Sequence, residues 1–393
     1  MSKHISFAEA AALIPDNAVV SVSSSSGLGC PDMMLKAIGE RFDETGHPQN
    51  ITTLHPIAAG DMSGIRGVDY IAKKGLLKKI LAGSYPSGPS SAEPPLIWQM
   101  ITNNEIPAYN IPSGILFDMH REAAARRPGV LTKVGLDTFV DPKRQGTAMN
   151  DKAREAPVVK RVSFEGEDWL YFPAIAPQVA IIRATTADER GNLTYEHEGA
   201  TLGGLDQALA ARNNGGIVIA QVKRIAREGT LKPHDVRVPG VLVDYIVVDP
   251  DQKQTTQTLY DPAISGEIFR PLDTFRLPEF NIQKAIARRV AQELQAGSAV
   301  QSGFWHFRQC TAHSAGRGPA WCGDMGNRAG GGRRCAASGF CLWLCVQCRR
   351  LYAVALSVHL FSGGRASMPR SCPSLRSGAT ARSMCRSSPS VRM

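Results

Sequence analysis

The pattern that most constrains the fold is a series of short, continuous apolar runs separated by polar or helix-forming stretches. They are AVVSV (18–22), ITTLHPI (51–57), LKKILAG (77–83), APQVAIIRAT (176–185), GGIVIAQV (215–222) and VDYIVVD (243–249). Strands have this continuous apolar character when helices cover both faces of a parallel sheet. The sequence therefore predicts an α/β fold with an open, mostly parallel sheet flanked by helices, and it leaves the order of the strands open.

A repeated opening pattern predicts two similar domains. Ser6 followed three residues later by Glu9 is a capping box, and the short helix it opens leads into a strand, a Gly-rich loop and a second helix. The segment NIQKAIARRVAQELQAG (281–297) repeats this beginning, with apolar residues at helical spacing and a glycine stop before a new apolar run. We predict a first domain over 1–277 and the start of a second, disrupted domain over 278–300.

The composition changes abruptly at Gln301. Residues 301–393 contain 13 Arg, no Lys, no Glu and a single acidic residue, Asp324, so this tail carries +12 against +10 for the whole chain. The excess positive charge lies outside the predicted domain, so it does not indicate a nucleic-acid partner. We predict no stable fold for this tail, because a sequence not selected for patterning cannot satisfy burial, turns and capping together.

Cysteine usage is equally uneven. Cys30 is alone in the first 300 residues, whereas the tail holds the other eight cysteines. With a single cysteine, residues 1–300 cannot form a disulfide framework among themselves. The most closely spaced cysteines of the tail are Cys341, Cys345 and Cys348. They lack the second, suitably spaced pair that a zinc site requires, so no metal site is predicted.

The loop SSSSGLGCP (23–31) is the first candidate binding element. Its glycines let the backbone approach a ligand closely, and the helix that follows presents free N–H groups, so the loop suits an anion or a carbonyl oxygen. A purely structural tight turn explains the same residues equally well. The spacing fits neither the dinucleotide fingerprint G-x-G-x-x-G nor a P-loop.

Polar stretches after apolar strands are further candidates, since open α/β sheets place ligand sites at such loops. They are GSYPSGPSS (83–91), AYNIPSG (108–114) and TYEHEGA (194–200). Within the last stretch, Glu196, His197 and Glu198 are candidate acid/base groups. Consecutive charged residues on a loop are more often solvated, and we favour that interpretation here.

Several segments of the body carry a family resemblance. They are GLDTFVDP (135–142), AIAPQVAIIRATTADERGN (174–192), ARNNGGIVIAQV (211–222) and VRVPGVLVDYIVVDPDQ (236–252). From about Phe7 to Val300 the chain resembles the acetate and propionate CoA-transferases of family I. The resemblance implies two copies of one α/β domain in a single chain, with the active glutamate in the second copy, inside the motif E-x-G-x-x-G-G.

The resemblance also implies substrates and partners. A coenzyme A thioester and a short-chain carboxylate such as acetate would be the substrates, with no permanently bound cofactor, no metal, no nucleic acid and no membrane. A homo-oligomer is expected for the intact protein. The first domain would form part of the cleft near the acyl group, and the expected substrate-binding residues are Gly27, Gly29, Gly83, Ser84 and Ser87.

The family motif is absent from the written frame of the tail, but a shift of one nucleotide restores it. With suitable codons, residues 301–315 read one base later give NLGFGISANVPRIL, and residues 321–334 give GVGTWAIEQGAVG, which carries the glutamate motif. One constant shift that restores both segments in order indicates an extra base near the codon of Val300. The glutamate codon would straddle Arg328 and Ala329, so we predict no catalytic residue and no activity for this chain.

The beginning of the chain bears on the location of the protein. The opening MSKHISFAEAAALI lacks the apolar core and cleavage site of a signal peptide, and no long apolar run follows, so a cytoplasmic location is expected. A non-catalytic binding domain and an isomerase-like use of the same domain class remain alternatives to the transferase.

Overall fold

The computed structural model describes residues 3–61, 64–86, 94–255, 258–268, 280–282 and 285. The strands, in chain order, are β1 (Val19–Val22), β2 (Ile51–His55), β3 (Leu77–Ala82), β4 (Ala108–Asn110), β5 (Gly129–Thr132), β6 (Lys160–Phe164), β7 (Glu167–Pro173), β8 (Val179–Arg183), β9 (Thr186–Asp188), β10 (Leu193–Thr194), β11 (Ile217–Val222), β12 (Arg224–Ala226), β13 (Val236–Val238) and β14 (Tyr245–Val248). The α-helices are α1 (Phe7–Ala12), α2 (Asp32–Thr45), α3 (Leu96–Thr102), α4 (Ser113–Ala124), α5 (Asp151–Glu155), α6 (Gly204–Asn213) and α7 (Pro262–Ser265). Short 3₁₀ turns cover Gly67–Tyr70, Pro233–Asp235 and Gly240–Leu242.

The central sheet has seven strands in the order β14-β11-β8-β1-β2-β3-β4. Every neighbouring pair is parallel, as in β1 and β8, where Val20 lies opposite Val179 and Val22 opposite Ile181. The chain builds the sheet outward from β1 in one direction through β4, then returns to the other side of β1 with β8. The topological switch point therefore lies between β1 and β8.

Helices cover both faces of this sheet, as the continuous apolar strands predict. α1, α2 and α3 pack on one face, and α4 and α6 pack on the other. The alternation within β8 shows how one strand serves both layers: Val179 and Ile181 join the first core, and Ala180 and Ile182 join the second. All four side chains are fully buried.

Two smaller sheets extend the domain. The strands β12, β9, β10 and β13 form a four-stranded sheet, and β5, β7 and β6 form an antiparallel three-stranded sheet. The sequence did not predict these sheets, because their strands are short or, like β6, have no buried residue and so no continuous apolar run. No helix in the part of the chain that the structure describes is long and apolar enough to cross a membrane.

Most of the predicted elements are confirmed. All six apolar runs form strands of the central sheet, and the capping box is present, with the Glu9 backbone N–H donating to Ser6 Oγ at 3.2 Å and the Ser6 N–H to Glu9 Oε2 at 2.8 Å. The stretch AYNIPSG is not the polar loop we predicted, because Ala108–Asn110 pairs with β3 as the edge strand. The predicted domain start over 278–300, apart from 280–282 and 285, and the tail over 301–393 lie outside the described residues.

Candidate active site

The candidate site lies at the carboxyl edge of the central sheet, around the switch point between β1 and β8. The Gly-rich loop leaves β1 there, and the loops after β2 and β3 lie beside it. Open α/β sheets bind ligands at this position because diverging connections leave a crevice between the strand ends.

The Gly-rich loop is a tight, buried structure. Ser25 and Leu28 exchange backbone hydrogen bonds of 2.8 and 2.9 Å. Ser26 and Gly29 have φ angles of 55° and 61°, in the left-handed region that favours glycine. At Gly29 a Cβ atom would also lie 2.5 Å from Leu202 Cδ1, so the backbone angle favours glycine and any larger residue would need the Leu202 side chain to move. The neighbouring Gly27 is buried in the same loop.

Hydrogen bonds join the three loops at this edge. Ser26 donates its backbone N–H to the Ala58 carbonyl at 2.6 Å and accepts from Gly60 N–H at 2.9 Å. The Ser24 hydroxyl donates to the same Ala58 carbonyl at 2.8 Å. The Ala58 N–H in turn donates to Ser84 Oγ at 3.0 Å, which brings the loop after β3 into the cluster.

The structure therefore brings together four of the five positions predicted to bind substrate. Gly27, Gly29, Gly83 and Ser84 lie in adjoining loops at one edge, and Ser87 lies outside the described residues. Gly83 is required sterically, because a Cβ atom there would lie 2.2 Å from the Pro56 carbonyl oxygen. Their contact with substrate remains a prediction.

Glu198 is not the solvated carboxylate that its sequence context suggests. Its side chain is 2% exposed and lies against Arg183, which is also 2% exposed. Arg183 donates from Nε to Glu198 Oε1 at 3.1 Å and from a terminal nitrogen to Oε2 at 3.2 Å. Burial raises the pKa of the Glu198 carboxyl, and the adjacent guanidinium opposes that rise. With both oxygens bound to Arg183, Glu198 is not placed as a nucleophile.

Glu196 and His197 occupy a more open environment than Glu198. Burial acts to raise the pKa of Glu196, but hydrogen bonds from Thr186 and Arg224 help to hold it below its usual range. The His197 ring stacks on Tyr260 with centroids 4.1 Å apart. Burial, followed by the charge of Arg224, lowers the pKa of His197. These contacts describe a packed ion-pair cluster rather than a paired acid and base.

Sequence reasoning missed Arg183, the charged residue that organises this edge. The available signal was its position, since Arg183 ends the apolar run VAIIR of β8, where a charged side chain needs a buried partner. Among the described residues, no group of three or more His, Cys, Asp or Glu side chains is arranged to hold a metal ion.

A separate cleft lies at the opposite edge of the sheet. This cleft of about 720 Å³ lies near the amino ends of β3 and β4 and is lined by Lys74, Lys78 and Lys152, among others. These lysines are exposed at the surface. Since parallel α/β sheets bind ligands at their carboxyl ends, we assign the site to the loops around the switch point instead.

A parallel α/β sheet with a Gly-rich loop at its switch point defines a class of proteins that bind ligands at the carboxyl edge. Comparison with known families identifies the class further: the family model described as "Coenzyme A transferase" matches residues 4–249. The chain belongs to the Coenzyme A transferase family.

Individual relatives agree with this assignment. Caffeate CoA-transferase from Acetobacterium woodii is 40% identical over 306 residues, which cover 77% of this chain and 57% of that protein. Acetate CoA-transferase YdiF from Escherichia coli K12 is 37% identical over 305 residues, covering 76% and 55%. The crystal structure of the acyl-CoA transferase YdiF from E. coli O157:H7, a thioester complex with CoA, matches with a TM-score of 0.67 and 36% identity, covering 76% of this chain and 56% of that one. The chain thus spans little more than half the length of these relatives.

Proposed function

We propose that the gene encodes an enzyme that transfers CoA from an acyl-CoA to a short-chain carboxylate of the acetate type. The observation that carries this proposal is the 40% identity over 306 residues to a protein named caffeate CoA-transferase. The similar protein YdiF is named an acetate CoA-transferase, which supports a short-chain acceptor. The loops joined at the switch point supply a suitable place for the acyl end of the substrate.

The proposed reaction uses a glutamate carboxylate as nucleophile. The carboxylate attacks the thioester carbonyl, the C–S bond breaks, and a mixed anhydride and CoA thiolate result. The thiolate then attacks the glutamyl carbonyl, which releases the acyl group as a carboxylate and leaves a glutamyl-CoA thioester. The acceptor carboxylate reverses these steps. The exchange is nearly isoenergetic, and backbone N–H groups of the Gly-rich loops would stabilise the oxyanions.

We further propose that this 393-residue chain lacks that glutamate because its tail is read out of frame. Two observations support the proposal. The composition changes at residue 301, and similarity to the caffeate enzyme extends over 306 residues, about three quarters of the chain. Among the described acidic residues, Glu198 is held by Arg183 and does not replace the missing nucleophile.

The direct test repairs the frame. Deleting one base at the junction of the Val300 and Gln301 codons gives a repaired protein, which is compared with the 393-residue chain and with a repaired variant whose restored glutamate is changed to glutamine. Each is incubated with butyryl-CoA and acetate, and acetyl-CoA is quantified by chromatography. We expect acetyl-CoA from the repaired protein only, with a CoA adduct on its glutamate visible by mass spectrometry.

Other outcomes would identify the competing functions. A folded repaired protein that binds acyl-CoA without transferring CoA would favour a binding domain. Isomerisation of a substrate without any CoA adduct would favour an isomerase-like enzyme. Transfer by the 393-residue chain at the repaired protein's rate would contradict the proposed loss of the glutamate.

Location and assembly are also proposals. We propose a cytoplasmic location for the repaired protein, supported by the single cysteine in the first 300 residues, which predicts no disulfides. We also propose a homo-oligomer, as the family resemblance implies. Cell fractionation and light scattering on the repaired protein test the two statements separately.

A further inference from the structure

The geometry points to Arg183 as a positioning residue that fixes the conformation of the Gly-rich loop during CoA transfer, with Glu198 holding its guanidinium in place. This inference rests on the proposed function. Arg183 is the last residue of β8, directly beside the end of β1 at the switch point. We assign Arg183 no direct contact with the reacting atoms, so it acts through the loop.

Arg183 binds both ends of the Gly-rich loop. Its backbone N–H donates to the hydroxyl of Ser23, the first loop residue, at 3.2 Å. Its guanidinium donates to the carbonyl of Cys30, where the loop meets α2, at 3.0 Å. One residue therefore fixes the distance between the two ends of a loop whose centre holds left-handed backbone at Ser26 and Gly29.

The guanidinium also connects the loop to two other segments at the same edge. It donates to both carboxylate oxygens of Glu198 and to the carbonyl of Lys253 at 2.5 Å. Gln252 donates to Glu198 Oε1 at 3.2 Å and to the Ala184 carbonyl at 2.8 Å. The planar fork of an arginine can serve several fixed acceptors at once, whereas a lysine ammonium is a single point charge.

A buried ion pair is a poor device for stability alone. The free-energy cost of removing two charges from water offsets most of their attraction. Apolar residues of similar volume often replace such pairs without loss of stability. The Arg183–Glu198 pair instead gives directional hydrogen bonds to the loop ends. Preorganised loop N–H groups lose catalytic effect when they shift by a fraction of an ångström, so disturbing Arg183 should lower the rate of transfer more than it weakens binding.

The chain offers a matched control. Arg224 and Glu196 form a second Arg–Glu pair, 2.8 Å apart, with side chains 50% and 36% exposed. Neither residue of this pair hydrogen-bonds the Gly-rich loop in the described structure. Arg183→Lys and Arg224→Lys therefore make the same chemical change in two different places. Arg183→Lys alters the buried pair that binds the loop, and Arg224→Lys alters the more exposed pair that does not.

Hydrogen exchange on the 393-residue chain tests the structural half of the inference. We expect Arg183→Lys to speed amide exchange in peptides covering 23–30 by at least about tenfold. The loop loses the guanidinium's hydrogen bond at its Cys30 end, although the backbone N–H of residue 183 still binds the Ser23 hydroxyl. Exchange in β2 and in β11 should change by less than about twofold. Arg224→Lys should leave the loop unchanged. Unaltered exchange at 23–30 in Arg183→Lys would overturn the inference, and so would uniform acceleration throughout the domain.

Kinetics on the frame-repaired protein test the functional half. We expect Arg183→Lys to lower kcat at least about tenfold with KM for the acyl-CoA within about threefold, and Arg224→Lys to change both by less than about twofold. A folded Arg183→Lys protein with unchanged kcat, or with a raised KM and unchanged kcat, would overturn the inference. No transfer by the repaired parent would contradict the proposed function, and the exchange result would still decide whether Arg183 holds the loop.

Discussion

Two buried histidines show how single residues set the behaviour of this domain. His120 lies on α4. Its Nε2 atom is 2.8 Å from the Ser21 hydroxyl oxygen, and its Nδ1 atom is 2.7 Å from the Leu116 carbonyl oxygen. His55 ends β2, is 1% exposed and has no hydrogen-bond partner for either ring nitrogen among the described residues. Burial lowers the pKa of His120 to about 4 and that of His55 to about 3. Neither imidazole carries a charge at neutral pH.

These values predict a loss of stability in mild acid. In the unfolded chain both histidines take up protons as the pH falls below 6.5. In the folded protein His120 remains neutral down to about pH 4 and His55 down to about pH 3. Each histidine therefore lowers the free energy of unfolding by up to about 1.4 kcal/mol for each pH unit below 6.5. Urea titrations of the parent and of His55→Leu between pH 7 and 5 measure this slope. We expect a shallower slope in the variant, and equal slopes would refute the assignment.

At the scale of the residue, the role of Arg183 is what the sequence did not predict. A resemblance and loop chemistry were enough to place Gly27, Gly29, Gly83 and Ser84 as candidates, and the fold brings these four to one edge. The partnership of Arg183 with Glu198 joins residues 15 positions apart, in a strand and in a loop. No periodicity links such positions, because side-chain pairing across a sheet edge is decided by tertiary packing.

At the scale of elements, the apolar pattern predicted most of the central sheet. Strands covered on both faces leave continuous apolar runs, and six of these runs became six of the seven strands. The exception is β4, whose three residues are too few to show a pattern and whose flanks contain Pro107 and Pro112. The strand order needed the structure, since the order depends on crossover connections that leave no local signal.

The Gly-rich loop is the element whose conformation matters most for the proposed site. We expect Gly29→Ala to lower the free energy of unfolding more than Gly215→Ala. Both glycines have positive φ, 61° and 79°, so both variants carry the left-handed penalty of about 1–2 kcal/mol. Only at Gly29 would the new Cβ also meet a neighbour, Leu202 Cδ1 at 2.5 Å, whereas nothing lies within 4 Å at Gly215.

Chemical denaturation of the two glycine variants measures this difference, and CoA transfer by the frame-repaired forms measures its effect on the site. Gly215→Ala is expected to retain transfer, because Gly215 lies in the turn that precedes β11, at the amino edge of the sheet and away from the candidate site. Equal loss of stability in the two variants would show that Leu202 moves aside without cost and that the loop is less tightly packed than its geometry indicates.

At the scale of the whole molecule, the chain combines a well-formed transferase domain with a tail of different composition. The body carries the family's sequence and fold, and the matched region covers 57% and 55% of the two relatives caffeate CoA-transferase and YdiF. The proposed extra base near the Val300 codon would explain the excess of arginine and cysteine after residue 301 and the absence of the glutamate motif. An extra base at that position would leave the sequence of residues 1–300 unchanged.

The nucleotide sequence of the gene, from the codon of Asn281 through the codon of Met393 and beyond, tests this account most directly. We predict that the frame one base later encodes a continuous second domain with the motif E-x-G-x-x-G-G, its glutamate codon formed from the codons of Arg328 and Ala329. If neither shifted frame encodes that motif, the proposed extra base and the assignment of the lost glutamate are both wrong.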